Sequence, residues 1–174
     1  RPQVNISESL GGVPGLLARD RQNYAQDVQI SVRGFGAHST FGIRGVRLYV
    51  DGIPATLPDG QGQITNVELG SADRIEVLRG PFSALYGNAS GGVISVFTED
   101  PPDEPIATGS GGGGSYGTGT LGAMLAGRSG SFGAVAAASE FITDGYRDHS
   151  WARRDLTNAK LVFDLAPQTR LTII

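Results

Sequence analysis

Short segments of alternating apolar and polar residues recur through the first hundred positions of the chain. Residues 28–33 (VQISVR) and 46–51 (VRLYVD) each put apolar side chains at every second position and polar ones between them. A period of two is typical of a strand that buries one face. The same pattern predicts strands at 74–78 and 93–97, with a short helical turn at 82–86 between them. Strands separated by helical segments indicate a small mixed-sheet α+β domain with short helices.

A helix is predicted close to the N-terminus. Asn5 stands three residues before Glu8, which is the spacing of a capping box. The apolar residues that follow at helical spacing are Ile6, Leu10, Val13 and Leu17. Two glycines and Pro14 lie within the same stretch, and residues of these types shorten a helix. We therefore expect a helix on these apolar positions that the glycines and the proline limit.

The pattern changes near Asp100, Pro101 and Pro102. Beyond them the apolar clusters alternate and are bounded by turn residues, with candidate strands at 118–126, 132–141, 153–165 and from 169 onward. The sequence therefore predicts two domains, at 1–100 and 101–174. Antiparallel strands with one apolar face occur both in soluble sandwiches and in membrane barrel walls, and periodicity alone does not separate them.

Composition excludes several classes of function. The net charge of −3 and the pI near 5.3 argue against a nucleic-acid-binding protein, which would present a basic face. The chain has no cysteine and two histidines, so thiolate chemistry, disulfides and an ordinary protein zinc site are not expected. No run of apolar residues is long enough for a transmembrane helix. Twenty-seven glycines indicate many tight turns.

Three blocks of sequence are more specific than these local patterns. They are ISVRGFG at 30–36, FGIRGVRLYVDGIPATLPDG at 41–60 and RIEVLRGPFSALYGNASGGVISVFT at 74–98. In this order and spacing they resemble the plug domain of TonB-dependent outer-membrane receptors, over about residues 3–100. Residues 101–174 resemble, more loosely, the start of the β-barrel that follows the plug in such receptors.

The resemblance implies a fold and a function. In this family the plug lies inside a 22-stranded transmembrane barrel of the bacterial outer membrane and blocks its lumen, while the barrel contacts lipid. A ligand binds on the extracellular side, and a TonB-type periplasmic energy-coupling protein pulls on the N-terminus of the plug, driven by the proton motive force. The chain is then part of an active importer and not an enzyme, with a ferric siderophore or another metal chelate as ligand and no cofactor. The coupling segment, a signal sequence and most of the barrel are expected to be missing from it.

The same resemblance assigns residues that hold the plug in its barrel. Arg33 in VRGFG and Arg79 in LRGP match two plug arginines that meet barrel glutamates, which would lie beyond residue 174. A guanidinium pairs bidentately with a carboxylate, and the glycine after each arginine lets the barrel wall approach closely. Arg44 repeats the Arg-Gly pattern and is the weaker candidate. Glu76 resembles a plug glutamate that supports either the arginine or the sheet.

Ligand contacts are expected from three outward-facing loops that match the apical loops of the family. Loops on a rigid scaffold commonly carry recognition. The residues concerned are Arg21, Gln22, Asn23 and Tyr24 in the first loop, His38, Ser39 and Thr40 in the second, and Leu57, Asp59 and Gln61 in the third. Arg21 offers charge to an anionic ligand, Tyr24 a stacking face, and His38 a contact to a metal-bearing ligand.

Two other functional classes explain parts of the sequence. A soluble hydrolase could use Ser83 of GPFSALYG as nucleophile, but the G-x-S-x-G elbow is absent and two histidines leave little choice of base. A soluble, non-catalytic β-rich binding module or adhesin would explain residues 101–174 but not the three ordered blocks. The glycine run GSGGGGSYGTG lacks the Lys-Ser/Thr ending of a phosphate-binding loop, and the resemblance gives it as a barrel strand with its connection.

Overall fold

The computed structural model describes residues 5–21 and 27–174, and the chain divides into two compact units. The N-terminal unit contains the described residues up to Leu69 together with Arg74–Thr98. The C-terminal unit contains Gly70–Asp73 and Glu99–Ile174. The main passage from one unit to the other therefore falls between Thr98 and Glu99.

The N-terminal unit begins with a single short helix, α1 (Ile6–Leu10). The Glu8 carboxylate accepts a hydrogen bond of 3.2 Å from the backbone N–H of Asn5, as the capping-box spacing predicts. The Asn5 side-chain amide donates to the Asp20 carboxylate at 3.0 Å. Ile6 and Leu10 are both buried, so the apolar face of the helix contributes to the core.

The prediction that the glycines and the proline limit the helix is confirmed, and Leu17, although at helical spacing, lies in a strand. The helix ends at Leu10, a turn follows, and strand β1 (Leu16–Arg19) pairs antiparallel with β2 (Gln29–Val32). Gly11, Gly12 and Pro14 interrupt the helix, and Gly15 adopts φ +76°, a left-handed conformation that redirects the chain into β1. Leu17 is 55% exposed, so its helical spacing from Ile6 and Leu10 does not mean that its side chain is buried with theirs.

A four-stranded mixed sheet in the order β4-β3-β6-β5 forms the rest of the N-terminal unit. Its strands are β3 (Val46–Val50), β4 (Ile53–Pro54), β5 (Ala72–Arg79) and β6 (Gly92–Thr98), and helix α2 (Ser83–Tyr86) lies between β5 and β6 in the chain. Strand β3 runs parallel to β6 and antiparallel to β4. The predicted mixed α+β architecture is confirmed, with each predicted strand extended by one or two residues or shortened at its ends.

The core of this unit is centred on β3 and β6. Val46 and Leu48 are fully buried, as the alternation in β3 predicts. In β6 the neighbouring residues Val93 and Ile94 are both buried, so both faces of that strand contribute to the core. The entry to β6 depends on glycine, because Gly92 has φ +147° and a Cβ there would lie 2.3 Å from the Leu78 carbonyl oxygen. Side chains larger than hydrogen do not fit at that position.

The C-terminal unit contains a five-stranded antiparallel sheet in the order β11-β10-β9-β8-β7. The strands are β7 (Ile106–Gly113), β8 (Gly119–Ser129), β9 (Phe132–Thr143), β10 (Ala152–Ala166) and β11 (Thr169–Ile173). Neighbours in sequence are neighbours in the sheet, which is the up-and-down order expected for the start of a barrel wall. The glycine run is strand β7 with its connection to β8, as predicted.

The two ends of this sheet differ in the length of their connections. Residues 130–131 join β8 to β9, and residues 167–168 join β10 to β11, so one end has only tight turns. At the other end residues 114–118 and 144–151 form longer loops. These loops are tied together, since the Asp144 backbone N–H donates to the Tyr116 carbonyl at 2.9 Å and the Thr118 and Thr143 hydroxyls share a 2.9 Å hydrogen bond.

The two faces of the C-terminal sheet are covered to different extents. Large apolar residues on one face are exposed, with Leu121, Leu125 and Leu165 at 64%, 63% and 65%. The residues of this exposed face are Leu121, Ala123, Leu125, Ala136, Ala138, Ala159, Leu161, Phe163 and Leu165. The opposite face, the covered face, buries Val135 and Val162 together with Lys160. The apolar side of β10 is therefore the more exposed side.

Charged groups on the covered face have partners. Lys160 is buried and its ammonium lies 2.8 Å from the Asp100 carboxylate. Arg128 and Arg170 both bind the Asp164 carboxylate, the second at 2.7 Å. A buried charge is tolerated only with such a partner, because unpaired it would lose its hydration without compensation.

Candidate functional site

The two arginines of the predicted plug–barrel contact both end strands of the N-terminal unit. Arg33 directly follows β2 and has φ +50°, and Arg79 is the last residue of β5. Both residues are exposed. Neither guanidinium is paired with a carboxylate from the described residues of the chain. Two exposed cations are thus left available for acidic groups outside the structure.

A single turn brings these two arginines together. The Gly15 carbonyl accepts a 2.9 Å hydrogen bond from the backbone N–H of Arg33, and the Pro14 carbonyl accepts one from a terminal nitrogen of the Arg79 guanidinium. Consecutive carbonyl groups therefore contact both residues, although Arg33 and Arg79 are far apart in sequence. The Arg33 backbone and the Arg79 side chain therefore meet at the same turn of the unit.

Arg44, the weaker candidate, has a carboxylate partner within its own unit. Its guanidinium lies 3.4 Å from the Asp59 carboxylate and 3.4 Å from the Gln61 side-chain oxygen, and it also donates to the Asp59 carbonyl at 3.3 Å. These contacts tie Arg44 to the third predicted ligand loop. Its geometry thus differs from that of Arg33 and Arg79.

Glu76 does not support Arg79 in the structure. Its carboxylate pairs with Arg74 at 2.8 Å, and the Arg74 guanidinium lies 4.1 Å from the centre of the Phe97 ring. The reason is strand geometry, because residues two apart share a face of a strand whereas residues three apart point to opposite faces. The alternative interpretation, in which Glu76 supports the sheet, agrees with these contacts.

A surface pocket of about 750 Å³ lies where the first and second ligand loops meet. Its lining residues are Arg19, Asp20, Arg21, Gln29, Ala37, His38, Ser39 and Thr40. The Arg21 guanidinium donates to the carbonyls of Ser39 and Thr40 and so fixes the second loop against the first. The predicted residues Gln22, Asn23 and Tyr24 lie outside the described residues.

Two arginines and one aspartate among the lining residues give this pocket a net positive charge. Arg19 and His38 are exposed, while Asp20 contributes the one carboxylate among the lining residues. Because Arg21 uses its terminal nitrogens on backbone carbonyls, Arg19 is the arginine better placed to meet a ligand. The pocket volume is within the usual range for small-molecule sites, roughly 300–1,000 Å³.

The third loop is a compact turn next to the second. Its backbone closes through hydrogen bonds from Leu57 to the Gln61 carbonyl at 2.8 Å and from Gly60 to the Leu57 carbonyl at 2.9 Å. A Cβ at Gly42 would lie 2.4 Å from Gln61 Cγ, so the Gln61 side chain packs directly on the backbone that follows Thr40. Leu57 is 51% exposed, and Asp59 is held by Arg44.

Three residues of the candidate site were missed by sequence reasoning. Arg19 and Gln29 face each other across the β1–β2 pair and line the pocket, but this pairing depends on recognising β1 as a strand. The contact of Pro14 with Arg79 joins residues that are 65 positions apart. A glycine directly after a proline was the available signal for a turn there.

Neither a metal site nor a membrane-spanning helix is found in the part of the chain that the structure describes. Among these residues no group of three or more His, Cys, Asp or Glu side chains could hold a metal ion. Within the same residues, no helix has both the length and the apolar character needed to cross a membrane.

Comparison with known proteins identifies the family. The model of the TonB-dependent Receptor Plug Domain matches residues 1–93. The vitamin B12 transporter BtuB of Photobacterium profundum is 37% identical over 131 residues, which are 74% of this chain and 20% of that protein. The ferric enterobactin receptor PirA of Pseudomonas aeruginosa is 34% identical over 119 residues, which are 59% of this chain and 15% of that protein. The chain thus spans a fifth or less of the length of these curated relatives.

Solved structures agree on the fold. The siderophore receptor PirA from Pseudomonas aeruginosa superposes with a TM-score of 0.66 at 27% identity, covering 99% of this chain and 30% of that one. The pyoverdine outer-membrane receptor FpvA from the same organism gives a TM-score of 0.77 at 24% identity, covering 97% and 24%. Both similarities include the mixed sheet and the antiparallel strands that follow it. The chain therefore belongs to the TonB-dependent receptor plug-domain family of the bacterial outer membrane.

Proposed function

We propose that the chain is the plug and the first barrel strands of an active outer-membrane transporter. In this proposal the N-terminal unit gates the lumen of a barrel to which the C-terminal unit contributes five strands. The plug binds an extracellular ligand, a ferric siderophore, and a TonB-type periplasmic energy-coupling protein drives uptake. The observation that carries the proposal is the pair of exposed, carboxylate-free arginines, Arg33 and Arg79, held at one turn.

Exposed arginines suit a plug that must be held in a polar lumen and still be released. A guanidinium presents a planar fork of donors that binds a carboxylate through two hydrogen bonds. Because water can replace these bonds, the contact is weaker and more reversible than a packed apolar interface. Acidic residues on barrel strands beyond Ile174 are the proposed partners of Arg33 and Arg79.

The exposed face of the C-terminal sheet supports a membrane-facing wall over a soluble β-rich module. A soluble sheet turns its apolar side toward its own core, whereas a barrel strand turns that side toward lipid. Leu121, Leu125 and Leu165 are each more than 60% exposed, and Phe132 packs against Phe163 with ring centres 5.1 Å apart. Outer-membrane barrels carry aromatic residues at the edges of their apolar band.

Loop length supports an orientation for this wall. Outer-membrane barrels have short periplasmic turns and longer extracellular loops. By that rule the turns at 130–131 and 167–168 are periplasmic, and the loops at 114–118 and 144–151 are extracellular.

The cationic pocket supports an anionic ligand. Arg19 and His38 offer donors at its surface, and Arg21 adds positive charge at its wall. Relatives carry the names of a vitamin B12 transporter and a ferric enterobactin receptor, so family membership alone does not fix the ligand. A ferric siderophore fits the charge of the pocket, because its iron-binding groups are oxygen anions that guanidinium groups bind well.

The test uses the full-length receptor in cells. Uptake of radioactive iron should be measured with a panel of ferric siderophores. Uptake of labelled cobalamin and of a labelled copper salt should be measured beside it, and each measurement should be repeated with a protonophore. We expect one ferric siderophore to be taken up and uptake to stop when the proton motive force is removed. Uptake that persists without the proton motive force, or transport of none of the chelates, would contradict the proposal.

A variant connects this test to the pocket. Arg19→Ala should weaken ligand binding roughly tenfold, the loss expected for one charge-assisted hydrogen bond. Arg74→Ala is the matched control, since Arg74 is an exposed arginine of the same unit that is engaged with Glu76 and Phe97. Equal affinity in both variants would remove the pocket from the proposal without affecting the transport function.

A further inference from the structure

The turn between α1 and β1 has a backbone geometry that depends on one left-handed glycine. It is closed by hydrogen bonds from Val13 to the Leu10 carbonyl and from Leu16 to the Val13 carbonyl, both 3.1 Å. Gly15 takes φ +76° at its end, where residues with a side chain are strained. Glycine adopts this conformation without strain, so the geometry of the turn depends on having glycine at this position.

Two consecutive carbonyl groups of this turn accept hydrogen bonds from distant arginines. Pro14 presents its carbonyl to the Arg79 guanidinium, and Gly15 presents its carbonyl to the Arg33 backbone at 2.9 Å. Without the left-handed conformation of Gly15, the two consecutive carbonyls would not keep these directions. The turn therefore sets both the position of the Arg33 backbone and the direction of the Arg79 side chain.

We infer that the Pro14–Gly15 turn is a positioning element for Arg79, whose guanidinium it holds in a preformed direction for a carboxylate. The inference rests on the proposed function, in which Arg33 and Arg79 hold the plug in the barrel. The bond to Pro14 occupies one terminal nitrogen of Arg79, and a guanidinium has five N–H donors in all. Donors thus remain for a carboxylate, while the long side chain no longer has to be ordered when the partner binds.

The structure also separates this role from ordinary packing. A Cβ at Gly15 would meet only Arg33 Cγ, at 3.9 Å, which is normal van der Waals contact. Substitution by alanine therefore acts through backbone conformation and not through a clash. Pro14 and Gly15 are both exposed, so changes there leave the core intact.

The test compares Gly15→Ala with Gly12→Ala in the full-length receptor. Gly12 lies in the same connection, has no left-handed φ, and a Cβ there would meet nothing within 4 Å. The readout is leakage through the barrel, measured as single-channel current and as sensitivity of cells to a large antibiotic that the closed receptor excludes. We expect Gly15→Ala to raise leakage roughly three- to tenfold, as for one weakened hydrogen bond, and Gly12→Ala to leave it unchanged.

A double-mutant cycle shows whether the turn acts through Arg79. If it does, Gly15→Ala combined with Arg79→Ala leaks no more than Arg79→Ala alone. Gly15→Asn should restore tightness, because asparagine adopts the left-handed region more readily than alanine. Additive leakage in the double variant, or a silent Gly15→Ala beside a leaky Arg79→Ala, would overturn the inference and leave the proposed function standing.

Two further outcomes complete the experiment. Should Gly15→Ala fail to reach the membrane, Pro14→Gly keeps the carbonyl but frees the backbone, and it should raise leakage in the same direction. Tight channels in Pro14→Gly would then count against the positioning role. If Arg79→Ala itself does not leak, the arginine contact of the proposed function is what fails.

Discussion

The two units of this chain differ in where their strands place the large apolar side chains: the N-terminal unit buries them, and the C-terminal unit exposes many of them on one face of its sheet. In the N-terminal unit Leu48, Ile94 and Val96 are fully buried, and arginines are exposed around that core. In the C-terminal unit Leu121 and Leu125 are exposed, while Lys160 is buried against Asp100. Both arrangements come from the same alternation of apolar and polar positions.

The comparison teaches that the alternation in a strand identifies an apolar face and a polar face but does not show which of the two faces is in contact with water. A unit surrounded by a polar lumen needs an apolar centre, and a wall surrounded by lipid needs an apolar exterior. Both units place glycine in left-handed turns, but the C-terminal unit also uses a run of glycines within strand β7. Four substitutions test these differences.

The largest effect is expected at Gly92, where the N-terminal sheet depends on backbone geometry. Gly92→Ala would put a Cβ 2.3 Å from the Leu78 carbonyl oxygen at φ +147°. We expect a loss of about 3 kcal/mol or more in the free energy of unfolding of this unit. Hydrogen exchange of β6 amides in the full-length receptor measures it, with Gly12→Ala as control. Protection equal to that of the control would show that the sheet tolerates the change.

A charge on the exposed face of the C-terminal sheet should come second. Leu125→Arg is expected to cost about 2–4 kcal/mol if this face meets lipid, because a guanidinium is poorly solvated there. Leu85→Arg is the control, since Leu85 is 79% exposed in the N-terminal unit and should change stability by about 0.5 kcal/mol at most. Denaturant titration of the full-length receptor in lipid vesicles compares the two. Equal small effects would mean that the exposed face is in water.

A smaller effect is expected at the ion pair of the covered face. The hydrogen bond from Lys160, partly opposed by burial, keeps the pKa of Asp100 below its ordinary value. A carboxyl of this kind stabilises the fold above its unfolded pKa, near 4, and loses that contribution as pH falls through the folded pKa. Asp100→Asn should cost about 1 kcal/mol at pH 7, with the exposure of Asp100 limiting the loss.

The pH dependence checks this assignment. Wild type and Asp100→Asn should differ in denaturation midpoint at pH 7, and the difference should shrink as pH falls below about 4 and vanish below the folded pKa of Asp100. A difference that stays constant through acid pH would mean that Asp100 acts through something other than its charge.

The smallest effect has the opposite sign. Gly111 lies within β7, where a Cβ would meet Thr120 and Leu121 only at ordinary contact distances. Gly111→Ala should therefore raise the free energy of unfolding by about 0.5 kcal/mol, by restricting the unfolded chain. The same denaturant titration measures it, and a loss of stability would indicate that β7 uses its glycines for close packing.

Much of the fold could be predicted from the sequence because alternation and turn residues are local signals. Strands β2, β3 and β8 to β11 lie where their patterns indicated, and the capping of α1 by Glu8 followed from spacing alone. Strand β1 was missed because it has only four residues, which is too short for a clear alternation. The helical spacing of the apolar residues before it was the stronger signal.

The candidate site was predicted only in outline. Arg33 and Arg79 were identified by resemblance, but their common contact with Pro14 and Gly15 is a long-range arrangement that no local pattern encodes. The pairing of Glu76 with Arg74, by contrast, follows from the period of a strand and could have been predicted. The pocket around Arg19 needed β1, so the missed strand also hid that residue.

The most direct test of the account is the leakage of the full-length receptor with Arg33→Ala and Arg79→Ala combined. If these exposed cations hold the plug against acidic groups of the barrel, the double variant should assemble normally and conduct far more than wild type, while Arg74→Ala stays tight. Channels that remain as closed in the double variant as in wild type would contradict the central claim.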